Sequence, residues 1–281
     1  MASNKDTSTG RKVKILSKIK TDSDNTPCIK ALPNHRCWMT STGRKGLVLI
    51  DKAGTQQREI DLSECYNEVF NFDMDKEENA YFQTMETMDH NLYKYDNAEG
   101  EIEDFDEIWP FDAWGIHVTK DGGILTAQNS EEEDGKCVLY TSGGEESMVI
   151  QYKGENDPYF DYPIDVTDLN TGDICVADLY KPGVFIFDKE GELKTLYSGS
   201  NLNLLKNYHP HSVACDSSDN IFILDKENKR IDIIDKDGVY VCELMTECDG
   251  LMDPDSISIA EDGVMWVTQY KNETLVIEYI L

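Results

Sequence analysis

The stretch from His209-Pro-His-Ser-Val-Ala-Cys-Asp216 through Asp219-Asn-Ile-Phe-Ile-Leu-Asp225 and Asn228-Lys-Arg-Ile231 to Asp235-Lys-Asp-Gly238 decides the fold. Short β-rich apolar runs alternate with polar turns. They predict strands at Ser212–Asp216, Asn220–Asp225, Arg230–Asp235 and Val239–Leu244. The closing phrase is a turn signal, because Asp bonds its own backbone and Gly takes positive φ without a steric penalty.

That phrase recurs as Asp51-Lys-Ala-Gly54, Asp96-Asn-Ala-Glu-Gly100 and Asp188-Lys-Glu-Gly191, with a degenerate copy at Thr141-Ser-Gly-Gly144. Taken from 51, 96, 141, 188 and 235, the steps are 45, 45, 47 and 47 residues. Within units, Pro163 to Asp178, Pro210 to Asp225 and Pro254 to Gln269 each span 15 residues. A period of about 40–50 residues built from short strands predicts an all-β, six-bladed β-propeller of four-stranded antiparallel blades. The last unit has only three strands, Ser256–Ala260, Val264–Thr268 and Thr274–Leu281, while Val13–Ile19 precedes unit one with no unit of its own. Placing that spare strand beside the third strand of the last unit closes the ring and removes two exposed sheet edges. The expected organisation is a disordered tail over 1–11 and a single propeller domain over 12–281.

The chain has 281 residues, 55 Asp and Glu against 26 Lys and Arg, and a formal charge of −29. Such a field opposes a phosphate backbone, so RNA is a minor expectation. It would need Arg11, Lys12, Lys14, Lys18, Lys20, Arg36, Arg44 and Lys45 to share one face of the basic N-terminal region. The eight cysteines include Cys175 and Cys215 inside apolar strand runs and form no Cys-x-x-Cys pair. They are read as reduced thiols of a cytoplasmic protein. The polar N-terminus lacks a signal-peptide core, no apolar run is long enough to span a membrane, and the sequon Asn272-Glu-Thr274 is incidental on that reading. A monomer in isolation is expected.

Residues 209–238 resemble an NHL repeat, with units four and six matching it in part. The resemblance extends to the C-terminal propeller of tripartite-motif (TRIM) proteins, where the propeller recruits a protein or RNA partner. It implies a link to ubiquitin-ligase pathways, but no RING, B-box or coiled coil precedes Val13. Arg230 matches the family's arginine, whereas units four and six carry Gly183 and Glu273–Thr274 near that position.

The leading expectation is a non-catalytic scaffold that binds a basic or amphipathic protein or peptide. The chain has no Gly-x-Ser-x-Gly elbow, P-loop or Cys/His nucleophile pair, so it is expected not to be an enzyme. The partner-binding residues are expected to be Trp109, Phe111, Trp114, Tyr159, Tyr180, His211 and Arg230. Clustered aromatics flanked by acidic groups form recognition surfaces. No cofactor and no metal are expected. The alternative is a metal-dependent hydrolase or lyase working in the channel. It would take zinc on His117 and His211, as in amidating lyases, or calcium on Asn67, Glu68, Asp165 and Asp255, as in gluconolactonase-like propellers. Against it, His117 sits among apolar neighbours, and acidic strand entries are common in so acidic a chain. Asp178, Asp225, Gln83, Gln128 and Gln269 close the second strands and are read as caps for loop amides.

Overall fold

The computed structural model of the protein describes residues 12–20, 28–40, 45–63, 68–84, 90–200, 202, 207–269 and 273–281. The tail 1–11, Cys65, Asn67, Asn272 and most of 201–206 therefore lie outside the described residues.

Strand β1 (Lys12–Lys20) is followed by six sets of strands. Blade one holds β2 (Ile29–Leu32), β3 (Arg36–Thr40), β4 (Gly46–Asp51) and β5 (Gln56–Asp61). Blade two holds β6 (Val69–Met74), β7 (Ala80–Thr84), β8 (Asn91–Asp96) and β9 (Glu101–Glu107). Blade three holds β10 (Asp112–Val118), β11 (Ile124–Asn129), β12 (Lys136–Tyr140) and β13 (Glu146–Ile150). Blade four holds β14 (Pro163–Asp168), β15 (Ile174–Asp178), β16 (Gly183–Phe187) and β17 (Leu193–Tyr197). Blade five holds β18 (Pro210–Cys215), β19 (Ile221–Asp225), β20 (Arg230–Ile234) and β21 (Tyr240–Thr246). Blade six holds β22 (Pro254–Ile259), β23 (Val264–Gln269) and β24 (Glu273–Ile280), with β1 as its outer strand.

The closure predicted from the spare strand is present. β1 runs antiparallel to β24 from Lys12 opposite Ile280 to Lys20 opposite Glu273. The repeated phrase makes the hairpins: at Asp188 the carboxylate accepts from the Glu190 and Glu192 amides, and Gly191 takes φ +87°.

The core lies between blades rather than in the middle of the ring. Six clusters of buried apolar side chains each bridge two neighbouring blades. β19 shows why its sequence is apolar at every position. Ile221 and Ile223 pack toward blade four, while Phe222 and Leu224 pack toward blade six. Successive side chains point to opposite sheet faces, and both faces are covered. Trp38 and Trp266 are fully buried in this way.

A repeated irregularity sets the inner surface. Pairing of the first and second strands slips by one residue at Phe70, Trp114, Ile164, His211 and Asp255 in blades two to six. A bulge bends a strand and re-aims the extra residue. Here it presents one side chain per blade where the inner strands enter the channel.

Candidate functional site

The inner strands enclose a central cavity of about 420 Å³ lined by side chains from all six blades. The five bulge residues ring its mouth. The next residue of the inner strand forms a second cavity-lining tier in four blades, Asn71, Asp165, Ser212 and Ser256, with Cys28, just before β2, lining it from blade one and Gly115 standing at the same strand position in blade three. Two positions deeper stand Lys30, Asp73, His117, Thr167, Ala214 and Ser258.

The mouth carries an ionic trio on blades five and six. His211 Nδ1 lies 2.8 Å from the Asp255 carbonyl oxygen, a pairing that makes Nδ1 the protonated nitrogen. Its Nε2 lies 3.4 Å from the Lys226 Nζ, and the same ammonium donates to the Asp255 carboxylate. Burial and the positive charge of Lys226 both push the His211 pKa down, overriding Asp255. His211 is therefore neutral near pH 7, with its unprotonated nitrogen facing a cation.

Across the mouth the rings of Phe70, Trp114, Tyr162 and Tyr180 follow one another, with centroids 4.8, 5.5 and 5.0 Å apart. Tyr180 is 70% exposed, on a turn whose amides at 180 and 181 both donate to Asp178. Trp109 is 63% exposed in the connection between β9 and β10.

In the deeper tier, a chain of charges crosses three blade interfaces. Lys30 pairs with Asp73 at 2.7 Å, His117 Nδ1 lies 3.3 Å from Asp73, and His117 Nε2 lies 2.8 Å from Asp168. Asp73 also accepts from the Val118 amide. Burial opposes the imidazolium, but its two carboxylate partners more than offset that and lift its pKa to about 9. Burial likewise opposes the Asp73 and Asp168 carboxylates, and their cationic neighbours overcome it, leaving both below the usual range. Asp165, in the second tier, is raised to about 6 by burial despite bonds from the Val213 and Val166 amides.

The structure separates the residues grouped from sequence. Trp114 and His211 share the mouth, and Tyr180 joins Trp114 through Tyr162. Phe111 is buried, with Lys136 Nζ 4.1 Å from its ring centre. Tyr159 packs edge-on against Phe187, and Phe160 is fully buried between blades three and four. Arg230 is held inside blade five by bonds to Asp232 and a contact with Glu243 at 3.1 Å. Of the described basic N-terminal residues, Lys14 and Lys18 pair with Glu278 and Glu273 on the outer edge of blade six, while Arg36 begins β3 in blade one. Arg11 and Arg44 lie outside the described residues.

Four of the five strand-end side chains take backbone amides, whereas Gln128, read as a cap from sequence, donates to Thr126 Oγ1 and the Tyr140 hydroxyl inside blade three. Asp178 accepts from the amides of Asp161, Tyr162, Tyr180 and Lys181, and Asp225 accepts from Asn228. Gln83 takes the Ala113 amide and Gln269 the Met252 amide.

Among the described residues neither metal expectation finds its donors brought together, Asn67 lying outside them. His211 is at the mouth and His117 is clamped three residues deeper into its strand, so their imidazoles do not converge. Asp255 is engaged by Lys226, and Asp165 by backbone amides. No group of three or more His, Cys, Asp or Glu side chains among the described residues is placed to hold a metal ion.

Sequence reasoning missed Lys226, which stands just past the second strand of blade five, and the Lys30–Asp73–His117–Asp168 chain. Unit spacing marks the strand entries but not which residue turns into the channel. The equal 15-residue spans from Pro163, Pro210 and Pro254 each contain the slipped residue.

No protein-family model matches the sequence, and no curated protein matches it. Among solved structures, the chain is similar to a streptogramin B lyase, with 13% identity, TM-score 0.66, and coverage of 96% of this chain and 98% of that one. It is similar to a catalytically inactive histidine-to-alanine variant of virginiamycin B lyase from Staphylococcus aureus with quinupristin, at 12% identity and TM-score 0.63 over 96% and 100% of the chains. It is also similar to regucalcin, a calcium-binding protein from Agrobacterium tumefaciens, at 12% identity and TM-score 0.66 over 93% of each chain. At such identities the likeness establishes the six-bladed ring. The NHL and TRIM resemblance gains no support from these comparisons. They also correct the expectation that the chain is not an enzyme: the ring it shares over nearly its whole length is one that lyases use. The missing nucleophile motifs therefore do not exclude an enzyme on this fold.

Proposed function

We propose that the protein is an enzyme that breaks a carbon–heteroatom bond by elimination at the mouth of its central channel. The observation that carries this reading is the His211–Lys226–Asp255 trio, set by two bulges at the rim of a 420 Å³ cavity. His211, neutral with Nε2 unprotonated, serves as the base that removes a proton from the carbon beside a carbonyl. The ammonium of Lys226, within reach of that nitrogen, stabilises the negative charge that develops on the carbonyl oxygen. The electron pair of the broken C–H bond then forms a double bond as the neighbouring bond to the leaving oxygen breaks. Asp255 holds both partners in place through its carbonyl and its carboxylate.

Hydrolysis fits the mouth less well. Ser212 Oγ accepts the Ile257 amide, and the Cys28 thiol is pushed up to about 12, chiefly by burial. An elimination needs only a base and an electrostatic partner, and both are present.

The similarity to a lyase crystallised with quinupristin makes that compound the first substrate to try, beside a panel of cyclic and linear esters. Mass spectrometry separates the reactions: ring-opening by elimination leaves the mass unchanged, whereas hydrolysis adds one water. Turnover is expected to fall by about 100-fold or more in His211→Gln. Full activity in that variant, or products that all carry an added water, refutes the assignment.

A further inference from the structure

We infer that the aromatic ladder from Phe70 through Trp114 and Tyr162 to Tyr180 is a recognition strip for a cationic peptide segment that enters the channel mouth. The inference shares the mouth with the proposed elimination but stands on different residues, in blades two to four rather than five and six.

The ladder is continuous and one-sided. Phe70 and Trp114 line the cavity, Tyr162 is half-buried and Tyr180 is mostly exposed, so the run leads from the channel outward over the rim. Its outer end is fixed: Asp178 binds the Tyr180 turn and the Tyr162 connection together, through amides on both. A rigid exposed ring loses little freedom when a ligand covers it.

Charge decides the occupant. Asp112 opens β10 two residues before Trp114, with His90 Nδ1 3.0 Å from its carboxylate. Burial raises the Tyr162 phenol, and both Asp112 and Glu131 add to that rise. Asp112 has a side chain 48% exposed and Glu131 is exposed. The whole chain carries −29. Aromatic faces bordered by carboxylates attract lysine and arginine through cation–π and Coulomb terms together. A neutral sugar stacks on the rings but gains nothing from the carboxylates, and an anionic ligand is repelled.

The test is binding, measured by calorimetry with no turnover required. A short peptide of alternating arginine and phenylalanine is titrated into the full protein at low and moderate salt. The matched glutamate–phenylalanine peptide and a neutral oligosaccharide serve as comparators. The arginine peptide is expected to bind at least about tenfold tighter than either, and to weaken as salt rises. Tyr180→Ala, an exposed position that leaves the fold unchanged, is expected to weaken it by about tenfold, and Tyr180→Phe to preserve it. His211→Gln is expected to bind the peptide as wild type does. Equal binding of all three probes, or indifference to Tyr180→Ala, overturns the inference. Wild-type protein that turns over none of the esters yet binds the arginine peptide sinks the elimination reading and leaves the strip standing.

Discussion

The clamp on His117 makes stability depend on pH in a way that can be calculated in advance. His117 is 21% exposed and bonded at both nitrogens by carboxylates, and its pKa rises from 6.5 to about 9. At about 1.36 kcal/mol per pH unit, that displacement amounts to about 3 kcal/mol of folding stability. Below pH 6.5 the imidazole is protonated in the folded and unfolded chains alike, and the contribution is complete. Between 6.5 and about 9 only the folded chain keeps the proton, so stability falls by about 1.4 kcal/mol per pH unit. Above about 9 nothing of it remains. Asp73 and Asp168 are depressed, so their contribution is lost only in acid and stays constant across this window. Other groups also titrate on the alkaline side, and the variant His117→Gln subtracts them. Urea unfolding of both proteins from about pH 6 to about pH 9.5 is the assay, urea being preferred because guanidinium screens charge. The stability gap between wild type and His117→Gln is expected to shrink by about 3 kcal/mol over that range. A gap that stays constant with pH would show that the imidazole is not held as a cation.

Replacing Lys30 by methionine leaves Asp73, only 5% exposed, with one cationic partner fewer, and is expected to cost about 2–4 kcal/mol in urea unfolding. Gly115→Ala puts a Cβ 2.8 Å from the Asp165 Cα across the interface of blades three and four, with an expected loss of about 1–3 kcal/mol and a lower melting temperature. Ile19→Asp places a charge in the apolar cluster joining blades six and one; loss of about 3 kcal/mol or more, with aggregation in size-exclusion chromatography, is expected if β1 closes the ring. Because the His211 pKa is depressed below 6.5, initial rates should hold through neutrality and fall only on the acid side of that value, as a pH–rate profile will show.

The ring itself was legible because its determinants are local. Asp188 and Gly191 form the turn that their spacing announces, and the unmatched Val13–Ile19 run finds the one sheet short of a strand. Cysteines in strand runs read correctly as small buried groups at Cys175, and Asp178 and Asp225 read correctly as loop caps. The site was not legible, for a geometric reason. Whether a residue faces a neighbouring blade or the channel depends on a one-residue slip in strand pairing, and period-two patterning carries no mark of it. His117 and Trp114 stand three positions apart on β10, yet one is locked between carboxylates and the other opens onto solvent. Phe111 and Tyr159 were grouped with Trp114 as aromatics near successive blade connections, although packing between blades draws their rings inward.

The slipped residues have an evolutionary consequence. Each occupies a position that takes no part in setting the sheet register, so its identity is free to drift while the blade keeps its shape. Five such positions act as an alphabet written onto a constant page: an ancestor could exchange letters at the rim, trading one chemistry for another, while hydrogen-bonded ladders behind them went unchanged. Toroids that overlay end to end yet share few residues are what such a scheme permits.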